Sequence, residues 1–239
     1  MKFPKPFQRY AKVLLIAVCL IAASCGVSKE RAAQGQAHYK IGVSYLSENN
    51  LQPAFIEFQK AIELNPDNKE FHNALGIVYI KLEDHKKAEE SFKKSVRIDE
   101  DYSEAHNNLC YLYYMEKQYP QAIESCKKAL SNPLYLTPEK AFNNLGKTYY
   151  RQRKYDEAVK VYWEAIRRSP ALYIAFYGLA LAHNAKRDYG EAENTLSKAI
   201  DLDPKYRGDK KKAEAEMKAG RFDVEEPQDL KDFLDILHY

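Results

Sequence analysis

A pattern of small and bulky residues recurs along this chain at an interval of about 34 residues. In the stretch 69–102 it runs through two segments with helical spacing, separated by the polar pair Glu83–Asp84. Its members there are Leu75, Gly76, Tyr79, Ala88, Phe92 and Ser95. A fixed period of this length predicts a helical solenoid, in which each unit is a helix, a tight turn and a second helix.

The period divides most of the chain into five repeats. We place them at 35–68, 69–102, 103–138, 139–172 and 173–204. Because proline cannot continue a helix, Pro66, Pro170 and Pro204 predict where the second helices of three repeats end. Repeat three is longer than the others, and the prolines at both sides of its closing loop predict that the loop is stiff and protrudes.

The repeated residues resemble the signature of the tetratricopeptide repeat (TPR) from Gly35 to Pro204. The resemblance implies an all-α fold, a TPR superhelical solenoid of about five helix-turn-helix repeats with a C-terminal capping helix. The basic run from Lys210 begins that capping helix, and Gly220 predicts its end. The rest of 205–239 contains a short amphipathic segment. The sequence leaves open whether that segment packs on the repeats or captures a partner.

Residues 1–24 have the features of a signal peptide. Residues 1–12 carry four positive charges and no acid, and an apolar run follows that is too short to span a bilayer comfortably. Without these four charges the net charge of +3 becomes −1, which gives no electrostatic case for binding nucleic acid.

The small residues that end on Cys25 resemble the lipobox of bacterial lipoproteins. The resemblance implies cleavage before Cys25, lipidation of its sulfur and a tether over residues 25–34. Gly26 resembles the sorting pattern of outer-membrane lipoproteins. We therefore expect a chain on the periplasmic face of the outer membrane, held to the membrane by its N-terminal lipid. The alternative is an ordinary cleaved signal peptide with a chance cysteine.

Two cysteines, Cys110 and Cys126, remain in the mature chain beyond the anchor. The repeat pattern places them on the two antiparallel helices of repeat three, both facing the interface between these helices. An even pair placed in this way in an oxidising compartment can form a disulfide, which requires Cα atoms within about 7 Å. The alternative is two small buried hydrophobic residues, a role that free cysteines fill well.

No residue pattern indicates an enzyme, a cofactor or a metal site. His38, His72 and His106 occupy one position of three successive repeats, but neighbouring repeats lie on the order of 10 Å apart, too far for one zinc ion. We interpret these histidines as packing residues. The sequence has no phosphate-binding glycine loop, no Ser/His/Asp grouping and no CxxC motif. We expect no catalytic residue, no cofactor and no small-molecule substrate.

The first helix of each repeat carries a second pattern on its other side. In TPR proteins these positions line a concave groove, and here they are aromatic, aliphatic or asparagine rather than mainly charged. Such a surface usually marks a binding site, and asparagine amides can bond a peptide backbone. We predict a groove that binds an amphipathic helix or an extended strand of a protein partner, unless flanking segments cover it. The predicted groove residues are Tyr39, Val43, Leu46, Asn73, Ile77, Ile80, Asn107, Tyr111, Tyr114, Met115, Asn143, Lys147, Tyr150, Arg151, Tyr177 and Leu181.

A lipoprotein signal that leads directly into TPR units resembles the PilW/PilF/Tgl-type pilotins of type IV pilus systems. The stretch Asn132–Pro138 and the helix starts at Asn107 and Asn143 are also similar to that family. The resemblance implies a scaffold that assists the pilus secretin in its assembly in the outer membrane. The alternative is an adaptor lipoprotein of another envelope machine, for outer-membrane protein assembly, cytochrome maturation or cell-wall synthesis.

Overall fold

The computed structural model describes residues 29–238, and all regular structure in that range is helical. Helix α1 covers 29–47. It is followed by α2 (Leu51–Leu64), α3 (Lys69–Lys81), α4 (His85–Ile98), α5 (Ser103–Met115), α6 (Tyr119–Ser131), α7 (Pro138–Arg151), α8 (Tyr155–Arg168), α9 (Tyr173–Ala185), α10 (Tyr189–Leu202), α11 (Lys210–Lys218) and α12 (Pro227–Ile236). The predicted all-α fold of paired helices with a capping helix is confirmed. No helix between residues 29 and 238 has the length and apolar content needed to cross a membrane.

The predicted signal peptide and the lipidation site Cys25 lie outside the described residues. The predicted tether lies partly inside them, and its last residues, 29–34, belong to α1 rather than to a linker. These residues are good helix formers, and Gln34 donates a hydrogen bond to Glu30 one turn earlier at 3.2 Å. Gly35, which follows them, is buried.

The described helices form two compact units, divided after Ile98. In the first unit, α1 to α4, each second helix places a phenylalanine against a glycine of the helix before it. A Cβ atom at Gly76 would lie 2.5 Å from the ring of Phe92, so only a residue without a side chain lets α3 and α4 approach this closely. Phe58 makes the equivalent contact with Gly42. The repeat signature therefore marks the buried interface between the two helices.

The turn between the two helices of each repeat uses a non-glycine residue in the left-handed conformation. In repeat two, Glu83 has φ +60°, its N–H donates to the carbonyl of Ile80 at 3.0 Å, and the next N–H donates to Tyr79 at 2.9 Å. These bonds satisfy carbonyls at the end of α3. The equivalent residues have φ between 59° and 68°: Asn49, Lys117, Arg153 and Arg187.

The second unit, α5 to α12, continues the pairing with one covalent link. The sulfurs of Cys110 on α5 and Cys126 on α6 are bonded at 2.02 Å, and their Cα atoms lie 5.1 Å apart. In the next repeat, Tyr162 on α8 is 1% exposed and its ring lies against Gly146 of α7 and Gly178 of α9.

The closing loop of repeat three protrudes in part. Tyr135 is buried against Ala129 and Ala141, whereas Leu134 and Leu136 on either side of it are 81% and 87% exposed. Burial raises the pKa of Tyr135 to about 12. The loop is thus held by its tyrosine and presents two leucines to solvent.

The chain after repeat five folds back onto the second unit. Asp209 caps α11 by accepting a hydrogen bond from the N–H of Lys212 at 2.9 Å, and Gly220, at φ +66°, follows its end. Pro227 lies in the first turn of α12, where a missing N–H costs no hydrogen bond. The apolar side of α12 is buried, with Ile236 at 0% exposure, and the helix packs on α9, α10 and α11. Of the two roles left open for this segment, the structure has it packed on the repeats.

Candidate functional site

The predicted groove residues differ widely in exposure. Val43, Tyr111 and Met115 are exposed. Eight are half-buried: Tyr39, Leu46, Ile77, Ile80, Lys147, Tyr150, Arg151 and Tyr177. Five are buried: Asn73, Asn107, Tyr114, Asn143 and Leu181.

The asparagines do not present their amides to solvent, which corrects the expectation of a row of free peptide-binding groups. Asn73 and Asn107 are each 8% exposed and Asn143 is 2% exposed. The Oδ1 atom of Asn107 on α5 accepts a hydrogen bond from Nδ2 of Asn144 on α7 at 3.0 Å. This bond runs from one first helix to the next, so Asn107 helps to join α5 to α7.

In the first unit, the predicted positions are mainly apolar and partly packed. Tyr39 stacks on Phe71 with ring centroids 5.1 Å apart and also contacts Phe58. Burial, with a smaller effect from Glu70, raises the pKa of Tyr39. Val43 is 41% exposed and is the most open of the predicted positions in this unit.

In the second unit, the predicted positions lie on the side of α5, α7 and α9 that we call the first-helix face. Residues 221–238, which we call the C-terminal segment, contact this face. The stretch 221–226 has neither helix nor strand, and α12 follows it. Its side chains reach Tyr114 of α5, Lys147 of α7 and Tyr177 of α9. Part of the predicted groove is therefore covered by the chain itself.

The first anchor of the C-terminal segment is the carboxylate of Glu225. Its Oε1 lies 2.6 Å from Nζ of Lys147, and its Oε2 lies 3.7 Å from Nη2 of Arg151. The hydroxyl of Tyr114 donates a hydrogen bond to the same carboxylate. Lys147 and Arg151 lie one turn apart on α7, so Glu225 also relieves the repulsion between two like charges.

The second anchor is Asp229, near the start of α12. Its two carboxylate oxygens accept hydrogen bonds from Nη1 and Nη2 of Arg151 at 2.8 and 2.5 Å. Asp229 is 4% exposed. A planar guanidinium that bonds both oxygens fixes the orientation of the carboxylate as well as its position.

The third anchor is a group of aromatic rings. Phe222 lies edge-on to Tyr177 of α9 at a centroid distance of 5.4 Å, and it stacks on Tyr206 at 5.6 Å. Phe233 of α12 contacts both Phe222 and Tyr177, at 5.5 and 5.6 Å. Ring pairs at these separations add to the gain from burying apolar area.

The charges at the site stabilise one another. Burial would raise the pKa of Glu225, but Lys147, Tyr114 and Arg151 outweigh this effect and lower it. Burial raises the pKa of Tyr114, and the adjacent Glu225 charge raises it further. Burial would lower the pKa of Arg151, but its contacts with Asp229 and Tyr114 raise it. At neutral pH the tyrosine is thus a donor, the glutamate an anion and the arginine a cation.

The C-terminal segment does not fill the space beneath it. A cavity of about 200 Å³ remains between the segment and the first-helix face. Its walls include Tyr150, Tyr162 and Ile174 on the repeat side, and Val224 on the segment side.

One part of the first-helix face stays open. Tyr111 and Met115, on α5, are each 37% exposed, and they line a second depression together with Tyr119. Lys117 beside it lies 3.3 Å from Glu226, and both side chains are largely solvent-accessible. The open part therefore continues directly from the point where the C-terminal segment turns at Glu225 and Glu226.

The three histidines make separate contacts in the structure. His72 and His106 each place Nε2 near the carbonyl of the residue six positions earlier, at 2.7 and 2.8 Å. His38 instead pairs with Glu57 at 2.6 Å. Burial lowers the pKa of His72. Across residues 29–238, no group of three or more His, Cys, Asp or Glu side chains converges in a way that could hold a metal ion.

Sequence reasoning identified the repeat side of this site and missed the side chains that contact it. Lys147, Arg151 and Tyr114 were predicted as groove residues, whereas Phe222, Glu225 and Asp229 were not singled out as their partners. One available signal was charge complementarity: acids precede an amphipathic helix, and α7 carries two cations one turn apart.

Comparisons with known proteins agree with this architecture. Three models of the tetratricopeptide repeat match the chain, over residues 35–68, 57–90 and 143–207. The chain is a tetratricopeptide-repeat protein. A search of curated protein sequences finds no match.

Solved TPR structures share the fold. PilF of Pseudomonas aeruginosa is 21% identical, with a TM-score of 0.68 over 86% of this chain and 99% of that one. PilW, described as a widely conserved type IV pilus biogenesis factor, is 22% identical, with a TM-score of 0.67 over 84% and 98%. YrrB, described as a TPR protein with an unusual peptide-binding site, is 23% identical, with a TM-score of 0.54 over 71% and 87%. At these identities the likeness shows the fold alone.

Proposed function

We propose that this TPR protein is a scaffold that binds a protein partner, and that it assists assembly of the type IV pilus secretin. The observation that carries the binding role is the first-helix face, which already holds a peptide segment through a carboxylate, a bidentate ion pair and an aromatic cluster. A scaffold needs no catalytic group, and the proposal assigns none.

The pilus role is supported by two further observations. The chain matches PilF and PilW over nearly their whole length, and PilW is described as a pilus biogenesis factor. The stretch Asn132–Pro138, which resembles the pilotin family in sequence, exposes Leu134 and Leu136 on a loop fixed by Tyr135. Exposed leucines on an ordered loop suit contact with another protein.

The proposal includes an anchor. Lipidation of Cys25 would hold the repeats at the periplasmic face of the outer membrane, where a secretin assembles. The features that support this are the basic and apolar leader and the small residues before Cys25. The role of the anchor is to keep the scaffold near its partner, since a tether raises the effective concentration of the two proteins.

A second candidate is an adaptor for another envelope machine, such as one for outer-membrane protein assembly, cytochrome maturation or cell-wall synthesis. The likeness to YrrB, a TPR protein described by its peptide-binding site rather than by a pilus role, favours this candidate.

The test is deletion of the chain in a host that makes type IV pili. We expect heat-resistant secretin multimers to fall while secretin monomer persists, and twitching motility to be lost. The wild-type chain should restore both, whereas Cys25→Ala should leave the membrane fraction and restore them less well. Unchanged multimers with intact motility would rule out the pilus role. A Cys25→Ala protein that stays in the membrane fraction would contradict the lipid anchor.

A further inference from the structure

The C-terminal segment shows which chemistry the first-helix face recognises. We infer that this face is a binding site for an acidic, aromatic segment of a partner protein, and that the chain's own C-terminal segment occupies the site until such a partner displaces it. The inference rests on the proposed role as a protein-binding scaffold, and it adds the chemical class of the partner.

Charge is the first argument. Lys147 and Arg151 lie one turn apart on α7 and are met by two carboxylates, Glu225 and Asp229. Without an acidic occupant, these two like charges one turn apart on α7 would repel each other. The face therefore favours a segment with acids at the spacing of Glu225 and Asp229, and it disfavours a basic segment.

The aromatic cluster is the second argument. Phe222 lies three residues before Glu225 and is 7% exposed, in contact with Tyr177 and Tyr206. Phe233, four residues after Asp229, closes the same cluster. The occupant therefore needs aromatic residues on both sides of its acids, and the order of these groups gives the site its specificity.

The incomplete fit is the third argument, because it shows where the chain's own segment can be improved upon as an occupant. The cavity of about 200 Å³ lies between Val224 and the repeat side chains Tyr150 and Ile174. This cavity is partly open to solvent, so apolar surface on its walls stays in contact with water instead of being buried. A partner segment with a larger apolar residue in the place of Val224 would bury that surface and bind in preference to the chain's own segment.

The path of the segment is the fourth argument. Residues 221–226 have no regular secondary structure and follow Gly220, which is exposed and has φ +66°. Beyond Glu226 the face continues to the exposed Tyr111 and Met115. A partner segment longer than 221–226 would reach these two residues, which the C-terminal segment leaves uncovered.

The experiment measures binding of a synthetic peptide to the full mature chain. The probe is a fluorescein-labelled peptide with the sequence of residues 219–238 carrying Val224→Leu, followed by fluorescence anisotropy. The protein variant is Glu225→Gln with Asp229→Asn, which weakens the chain's own segment and leaves the first-helix face intact. Because an occupied site lowers the apparent affinity by the fraction of open molecules, we expect the variant to bind the peptide at least tenfold tighter than the unaltered chain.

Three further measurements test the source of the gain. Asp232→Asn with Asp235→Asn removes the same charge from α12 but leaves both contacts with α7 intact, and should bind like the unaltered chain. Peptide with unaltered Val224 should bind the open variant more weakly than the Val224→Leu peptide. In a variant that also carries Lys147→Glu, peptide binding should fall and should recover with a peptide carrying Glu225→Lys.

Three outcomes would overturn the inference. One is equal peptide affinity for the open variant and the unaltered chain when circular dichroism shows both folded. Another is binding that is indifferent to the Lys147 and Glu225 charge exchange. The third is an open variant that forms dimers by light scattering and takes up no peptide, since the occupant would then be a second copy of this chain. If the open variant does not fold, the charge exchange is repeated with Lys147→Glu as the only change in the protein and Glu225→Lys as the only change in the peptide. Recovery of binding in that pair then decides the question.

These results are independent of the pilus role. The binding assay contains no pilus component, so its failure would leave the secretin experiment unaffected. Conversely, unchanged secretin multimers in the deletion strain would leave a measured peptide affinity standing.

Discussion

Repeats three and four fill the same two positions with different chemistry. In repeat four, Gly146 of α7 faces Tyr162 of α8, and a Cβ atom on the glycine would lie 2.6 Å from the ring. In repeat three the equivalent residues are Cys110 and Cys126, and a disulfide joins them. Both solutions bring two helices close together, one by removing a side chain beneath a ring and the other by a covalent bond.

The two repeats also differ on the opposite side of their first helices. In repeat three, Tyr111 and Met115 remain exposed, whereas in repeat four Lys147 and Arg151 contact the C-terminal segment. The residues between the two helices of a repeat thus determine how these helices pack together. The residues on the first-helix face determine which segment the repeat binds. Because the two sets lie on different sides of the helix, they can change independently.

Reduction of the disulfide is expected to give the largest effect on this comparison. The bonded cysteines are separated by 16 residues, and closing a loop of about this length contributes about 3 kcal/mol to the free energy of unfolding. Urea unfolding of the mature chain with Cys25→Ser, with and without reductant, measures the difference. A loss of this size would show that the two helices of repeat three need the disulfide to stay paired, just as those of repeat four need Gly146.

The control for this prediction transfers the glycine–phenylalanine pair of repeat two, Gly76 and Phe92, into repeat three. The ring of Tyr162 in repeat four also needs Gly178 of the next repeat, and the repeat after repeat three has Asn144 in that place. A phenylalanine is therefore used instead of a tyrosine.

A chain with Cys110→Gly and Cys126→Phe should fold and should unfold at the same urea concentration with or without reductant. A chain with both cysteines intact that is equally indifferent to reductant would show that the bridge does not hold repeat three.

Substitution of Gly146 is expected to have the next largest effect. Gly146→Ala places a methyl group 2.6 Å from the Tyr162 ring, which is fully enclosed, so α7 and α8 must separate. We expect a loss of about 2 kcal/mol in the free energy of unfolding, as for other overpacked cores. The same urea titration measures it.

Gly190→Ala, at the start of α10, is the matched control, since a Cβ atom there meets nothing within 4 Å. This variant should be as stable as the unaltered chain or more stable by less than about 1 kcal/mol, because alanine favours helix over glycine. Equal losses at both glycines would mean that helix propensity, and not the Tyr162 ring, accounts for the effect.

The contrast between the helix-pairing positions and the first-helix face also explains which parts of the structure could be predicted from the sequence. Helix pairing was predictable because its determinants, such as Gly76 and Phe92, lie within one period and recur. The covered site was not, because Glu225 and Lys147 are 78 residues apart and no period relates them. The asparagines were misjudged for a related reason: whether Asn107 faces solvent depends on Asn144 of the next repeat, which reaches across to bond it.

The pH dependence of the Glu225 contact is expected to be the smallest of the three effects. It separates the first-helix face from the helix-pairing residues, because Glu225 changes its charge at acidic pH and the disulfide of repeat three does not. Since the pKa of Glu225 is lowered in the folded chain, its contribution is fully present above the ordinary glutamate pKa of about 4.3 and is lost as the pH falls through the lowered value. The side chain of Glu225 is 40% exposed, so we expect its charge to contribute less than about 1 kcal/mol to the free energy of unfolding.

The measurement compares the unaltered chain with Glu225→Gln. The difference between their free energies of unfolding should shrink between pH 6 and pH 3. The difference in free energy of unfolding between the oxidised chain and a chain reduced beforehand at neutral pH should stay constant over that range, because neither the disulfide nor the free thiols titrate there. A Glu225→Gln difference that also stays constant would mean that the side chain stabilises the segment by packing and not by its charge next to Lys147 and Arg151.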